Sequence, residues 1–264
     1  MPAHLLQIAK KLGHDAGLLA LDYQKKGFKI ETKGSSFNFV TEADKACEKL
    51  IVDSIRHNFP DHSILSEEMG EIKGNGEYKW IIDPIDGTTN FAHGQPIFGI
   101  SIGIVKNGKP IIGVVEIPAL KESFWAMEGK GAYLGNKRLQ VSKVAETSGA
   151  LFATGFPYSR AERYEKNMEL FDAFYKNSHG VRRFGAASVD LCFLAAGRFD
   201  AYWEFDLKAW DIAAGKIIVE EAGGTVTNMD GSTLDPKRGS LLSSNSLLHQ
   251  QMLNILKKHG ADRI

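Results

Sequence analysis

The stretch WIIDPIDGTTN, Trp80 to Asn90, sets Asp83 and Asp86 three residues apart, straight after an apolar run. KWII has the pattern of a buried strand, which predicts Asp83 at a strand end. Pro84 has no amide to donate, so regular pairing is expected to stop there. In α/β proteins ligands bind at strand ends. Two carboxylates converging at such a point repel each other unless something positive lies between them. A hard divalent cation meets that need, and Mg²⁺ commonly shares its oxygen ligands with phosphate. Gly87, Thr88 and Thr89 follow. The glycine lets backbone come close, and amides at a helix start bind phosphate. The same letters also suit an Asx-turn with a capping aspartate.

The surroundings favour the cation site. ILSEEMG puts Glu67 and Glu68 at the end of another strand pattern, and KAWDIAAG puts Asp211 at a helix start. Each alone has a structural explanation, a solvated turn for the glutamates and a helix N-terminal acid for Asp211. Acids at three separate element ends point instead to one shared site. The residues themselves do not choose between Glu67 and Glu68. Asp44, in VTEADKACEKLI, has capping-box spacing from Thr41, so capping is its first explanation.

The elements that must position these acids follow from periodicity. Helical patterns cover about 3–26 and 42–58, with Leu5, Ile8, Leu12, Ala16 and Leu19 on one face of the first. That opening stretch, interrupted by Lys10 and Lys11, does not read as a signal peptide. Strand patterns follow in HSILSE, KWIID, IFGISIGIV and PIIGVVEI, with Asn107-Gly108 marking a hairpin turn between the last two. SFWAME, KRLQVS, FDAYWE, GTVTNM and SLLSSN read as further strands. Helices are predicted near 162–177, 186–196, 246–259 and in DIAAGKIIVEEAGG, the last closed by Gly223. The result is an antiparallel-rich first half and an α/β second half, with a seam near 140–150.

Composition narrows the function. The 264 residues carry 32 basic and 32 acidic side chains, a balance that argues against bulk affinity for nucleic acid or anionic membranes. Hydrophobic residues make up 43%, ample for a packed core. No apolar run approaches the roughly 20 residues of a spanning helix. Cys47 and Cys192 both sit in apolar helical patterns and read as buried free thiols of a reducing cytoplasm. The eight histidines show no metal-ligand spacing.

WIIDPIDGTTNFAHG, with SEE upstream and WDIAAGKIIVEEAGG downstream, closely resembles the inositol monophosphatase family. That family belongs to the lithium-sensitive, magnesium-dependent phosphatases, with fructose-1,6-bisphosphatase and 3'-nucleotidases as relatives. The likeness runs from KGSSFNFVTEAD to the final helix. It implies a layered αβαβα sandwich of the α+β / α/β kind, formed by one unit over 1–264. Its approximate halves are 1–145, with the metal and phosphate motifs, and 146–264, with the substrate pocket and last metal ligand.

The resemblance also implies roles. Glu67, Asp83, Asp86 and Asp211, with the Ile85 carbonyl, would hold two or three Mg²⁺ ions. Gly87 and Thr88 would present backbone groups to the phosphate, and Thr88 with Asp44 would act on water. Ala187 and Glu204 would line the substrate pocket, and Lys33 would sit on a mobile loop closing over it. Family members commonly have two alanines where this chain has Ala187 and Ser188, a tuning difference with little expected effect on the chemistry. The implied activity is hydrolysis of a phosphorylated polyol or sugar, inositol 1-phosphate first, by direct attack of water without a phospho-enzyme. Fructose 1,6-bisphosphate, adenosine bisphosphates and glycerol phosphate are the alternative substrates. Haloacid-dehalogenase phosphatases place the acids as DxDGT, whereas this chain has DxxDGT with a proline inside. Family members are usually dimers, so a homodimer is expected, and some bacterial relatives act as RNA-polymerase-associated regulators.

Overall fold

The protein is described from a computed structural model, over residues 1–35, 38–156 and 162–263; the side chains of 33–35, 38 and 162 are also left undescribed. Helix α1 (Pro2–Lys26) starts on a proline, whose missing amide costs nothing at a first turn. It buries Leu5, Ala9, Leu12, Ala16 and Ala20 along one stripe. A hairpin of β1 (Ile30–Ser35) and β2 (Asn38–Thr41) leads into α2 (Glu42–Asn58). Sequence patterning gives no strand here, because the segment shows no apolar alternation. Lys33 lies within β1, but its side chain and residues 36 and 37 fall outside what is described.

The larger sheet has eight strands in the order β10-β9-β8-β7-β6-β5-β3-β4. They are β3 (Ser63–Ser66), β4 (Gly70–Ile72), β5 (Tyr78–Asp86), β6 (Gly99–Lys106), β7 (Lys109–Ile117), β8 (Glu122–Met127), β9 (Gly131–Leu134) and β10 (Lys137–Arg138). Only β3 and β5 run parallel; the other pairs are antiparallel. Asn107 and Gly108 make the expected hairpin turn, both with positive φ. The strand predicted over KRLQVS stops at Arg138.

The second sheet has the order β12-β11-β13-β15-β14, with β11 (Leu151–Thr154), β12 (Gly180–Arg182), β13 (Ala201–Glu204), β14 (Thr225–Thr227) and β15 (Leu241–Ser244). Its helices are α4 (Glu162–Tyr175), α5 (Ala187–Ala195), α6 (Ala209–Glu221) and α7 (His249–Lys258). Three apolar clusters order the layers. One joins α1 and α2 to the outer face of the large sheet. Another joins its inner face to α5 and α6. The third packs α4 and α7 on the small sheet through Leu170, Phe174, Trp203 and Met252. The layers therefore run helix, sheet, helix, sheet, helix, and the middle core draws on both halves of the chain.

One contact in that core sets the position of α6. Gly103 and Gly113 face each other across β6 and β7. A Cβ on Gly103 would lie 2.7 Å from that of Ala213, and one on Gly113 would lie 2.4 Å from the Ala214 carbonyl oxygen. The glycine pair lets the helix that carries Asp211 lie directly on the sheet. Gly113→Ala is expected to push α6 outward and destabilise the protein by about 1–3 kcal/mol. A urea denaturation midpoint equal to that of the parent would contradict this.

Candidate active site

Asp83 and Asp86 owe their meeting to a bulge. In a regular strand residues three apart face opposite sides. Here β5 pairs Asp83 with Ser101 and then, after a register slip, Asp86 with Gly99. Three steps on β5 match two on β6, and the extra residue returns Asp86 to the side of Asp83. Pro84 sits in this bulge. Pairing is interrupted there, as its missing amide requires, but the strand resumes and runs to Asp86, which corrects the expectation that it would stop. Gly87 follows with φ 87° and ψ 38°, a left-handed conformation that glycine adopts without strain. The short helix α3 (Thr88–Ala92) starts there, and its first amides lack helical acceptors.

Asp211 arrives from the other half of the chain. It stands in the first turn of α6, where the Lys208 amide donates to its Oδ2 at 2.6 Å. The Ser101 hydroxyl donates to the Trp210 carbonyl at 3.2 Å, tying the head of α6 to the residue opposite Asp83. Carboxylate oxygens of Asp83, Asp86 and Asp211 lie within 4.8 Å of one another. One oxygen of each already accepts from protein. Ile85 N donates to Asp83 Oδ1 at 3.1 Å, and Ser188 donates to Asp86 Oδ2 through both its amide, at 2.7 Å, and its hydroxyl, at 2.5 Å. Ser188 thus touches the acidic site directly, which departs from its reading as a minor variation.

Asp44 uses its two oxygens for two different tasks. Oδ2 accepts from the Thr41 amide at 2.8 Å and from the Thr41 hydroxyl, closing the capping box of α2. Oδ1 lies 3.1 Å from the Thr88 hydroxyl, which also lies 3.0 Å from the Ile85 carbonyl. Capping and proximity to the site therefore coexist. Glu67 and Glu68 both line the cleft, and the charge of Glu67 is among the causes that raise the carboxyl pKa of Asp44, Asp83, Asp86 and Asp211. Its turn is gripped by Glu48, which sequence reasoning passed over. Buried Glu48 Oε1 accepts from the Ser66 hydroxyl and from the amides of Glu68 and Met69 at 2.9 and 3.1 Å. An acid on the inward stripe of an amphipathic helix was the available signal.

Crowding raises the carboxyl pKa values. Burial, then the charges of Glu67, Asp86, Asp211 and Asp44, push Asp83 well above the usual range. Burial lifts Asp86 to about 6 against the opposing Ser188 donors. Asp211 rises well above the usual range through burial and then Asp86, although part of its surface still faces the cleft. Burial is also the first cause for Asp44, whose bonds from Thr41 work against it. An all-oxygen set of buried, mutually repelling carboxylates is the donor chemistry that a hard divalent cation requires.

The cleft has a volume of about 460 Å³ and is lined by Glu67, Asp83, Ile85, Asp86, Thr88 and Asp211. A recess of about 90 Å³ adjoins it, sharing Asp86, Gly87 and Asp211 and adding Ala187, Arg183 and Glu204. Burial lifts Glu204 to about 7, and the Tyr202 hydroxyl that donates to it opposes the rise. Apart from Lys33, every candidate site residue named from the sequence borders this joint cavity or, like Asp44, bonds a residue that does.

The model of the inositol monophosphatase family matches residues 1–261. The Arabidopsis thaliana protein named phosphatase IMPL1, chloroplastic, is 43% identical over 259 residues, covering 96% of this chain and 70% of that protein. The Pseudomonas aeruginosa Nus factor SuhB is 39% identical over 261 residues, covering 97% and 96%. The solved inositol monophosphatase from Anabaena superposes with a TM-score of 0.88 at 38% identity, covering 97% of this chain and 96% of that one.

Two outcomes follow from this geometry. Without added metal, Asp86 in the native protein keeps a proton, up to a pKa of about 6, that the unfolded chain loses near pH 4. The native state therefore binds more protons over that interval, and stability is expected to fall as pH rises through it. Saturating Mg²⁺ should flatten the slope, and a metal-free stability that climbs with pH would be inconsistent with the crowding. Separately, Glu48→Ala leaves a buried hydroxyl and two amides without their acceptor and should cost about 1–3 kcal/mol in chemical denaturation.

Proposed function

Since the chain belongs to the inositol monophosphatase family, a family of phosphatases, we propose that it is a Mg²⁺-dependent phosphate monoesterase whose preferred substrate is inositol 1-phosphate. The observation that carries this reading is the convergence of Asp83, Asp86 and Asp211 beside the amides of Gly87 and Thr88. Those three carboxylates, Glu67 and the Ile85 carbonyl would hold two or three Mg²⁺ ions. When bound, Mg²⁺ supplies Lewis-acid stabilisation of phosphoryl charge and lowers the pKa of water.

The chain's own groups do the rest. Gly87 and Thr88 donate backbone amides to phosphoryl oxygens, where charge builds in the transition state. Asp44 holds the hydrogen of the Thr88 hydroxyl, so Thr88 Oγ1 turns a lone pair toward an entering water and orients it for in-line attack. The raised pKa of Asp44 suits it to receive the proton passed through Thr88. Glu204, fixed by the Tyr202 hydroxyl, accepts from a substrate hydroxyl in the small recess, and Ala187 keeps that recess open. Lys33 is assigned to the covering segment on the β1–β2 side. No side chain is phosphorylated in this scheme. The halves 1–145 and 146–264 work as one unit, since each supplies carboxylates to the nest.

Other parts of the reading rest on less local features. Among the described residues no helix is long and apolar enough to cross a membrane. The two buried free cysteines suit a reducing cytoplasm. The family resemblance supports a homodimer and inhibition by Li⁺. The name Nus factor of the Pseudomonas relative supports a second property, association with RNA polymerase. Capture of the protein on immobilised polymerase tests that property independently of catalysis.

Inositol 1-phosphate, fructose 1,6-bisphosphate, an adenosine bisphosphate and glycerol phosphate should be compared side by side for Mg²⁺-dependent phosphate release. Fastest turnover of inositol 1-phosphate is expected; a preference for another ester would reassign the substrate while keeping the chemistry. Asp86→Asn should abolish most release, and near-parental rates would remove Asp86 from the site. In a single turnover in heavy-oxygen water, the label should enter phosphate and leave Asp83 unlabelled.

A further inference from the structure

We infer that Ser188 is a positioning residue for the cation site, its hydroxyl fixing the Asp86 carboxylate in the orientation that binds Mg²⁺. This rests on the metal-dependent reading above and extends it to a residue outside the ligand set. Ser188 is fully buried at the second position of α5. Its amide and its hydroxyl both donate to one oxygen of Asp86, at 2.7 and 2.5 Å, across 102 residues of sequence. Any residue but proline at 188 would supply the amide. Only a hydroxyl supplies the second bond.

Asp83 and Asp211 are held differently. Among the described residues their hydrogen bonds come from the backbone amides of Ile85 and Lys208. Of these three carboxylates, Asp86 is the one with a side-chain donor among the described residues. The space for that donor is built into the sheet. Gly99 is the partner of Asp86 across β5 and β6, and a Cβ there would lie 3.3 Å from Ser188 Oγ and 3.2 Å from Val189 Cγ2. The bare glycine lets the head of α5 come down onto the aspartate.

A hydroxyl bond to a carboxylate is charge-assisted and therefore stronger than one between neutral groups. Two donors on one oxygen also stop the carboxylate from rotating away from its like-charged neighbours, leaving its other oxygen directed to the cation. Groups that orient metal ligands from behind typically change metal affinity by about 10–100-fold when lost.

The test is calorimetric titration of Mg²⁺ into the substrate-free parent, Ser188→Ala and Ser188→Cys. The cysteine leaves no cavity but is a poor donor, so the loss of a hydrogen bond is separated from the opening of a void. Both variants are expected to bind Mg²⁺ about tenfold or more weakly than the parent. A dissociation constant within about twofold of the parent in both would overturn the inference and leave the metal-dependent reading standing. So would a parental constant in Ser188→Cys alone, because packing would then explain the alanine result. If the alanine variant fails to fold, the cysteine variant decides by the same criterion. No Mg²⁺ binding by the parent itself would overturn the metal reading along with this inference.

Discussion

Mutual repulsion among buried carboxylates is the constraint around which this molecule is organised. Asp83, Asp86 and Asp211 bring oxygens within 4.8 Å of one another in a place where water screens them poorly. Such a grouping persists only if each side chain is held from outside, and it is. Ile85, Ser188 and Lys208 each donate to one carboxylate. The two residues of β6 opposite the aspartates each receive one element of the second half. Ser101, opposite Asp83, bonds the head of α6, and Gly99, opposite Asp86, makes room for the head of α5. A single strand thereby aligns both helices against the acidic bulge.

Asp44 shows how one side chain reconciles stability with chemistry. One oxygen closes a helix cap and the other meets the Thr88 hydroxyl. The cap prevents rotation of the carboxylate, so the second oxygen is held where it is without further support. Glu48 plays a comparable part for the turn bearing Glu67, reaching from α2 to gather a hydroxyl and two amides. Two acids on one helix, at positions 44 and 48, thus support two separate segments that line the cleft.

The acids of the site were legible in the sequence because they stand at the ends of strong patterns: KWII before Asp83, SIL before the glutamates, and a long apolar helix after Asp211. The long helices and the β6–β7 hairpin were legible for the same reason. The bulge was not. Pro84 shows that pairing must break, but only β6 on the other side shows that it resumes. Strands of three or four residues, such as β4, β11 and β12, are too short to display a period. The β1–β2 hairpin is polar and lacks alternation. Ser188 was legible as a small residue at a helix start, yet its partner lies 102 positions away, and no local spacing encodes that contact.

That separation has a consequence for synthesis. Chains emerge from the ribosome N-terminus first, at roughly 5–20 residues per second. The bulged strand is made well before the two helices that complete its acidic nest, so for several seconds Asp83 and Asp86 are present without Ser188 or Asp211. A nascent chain in that interval has an unfinished acidic cluster, which closes only once α6 has been extruded and seated on the glycine pair. Completion of the cluster is therefore a late step of folding, and a product truncated before residue 211 lacks it.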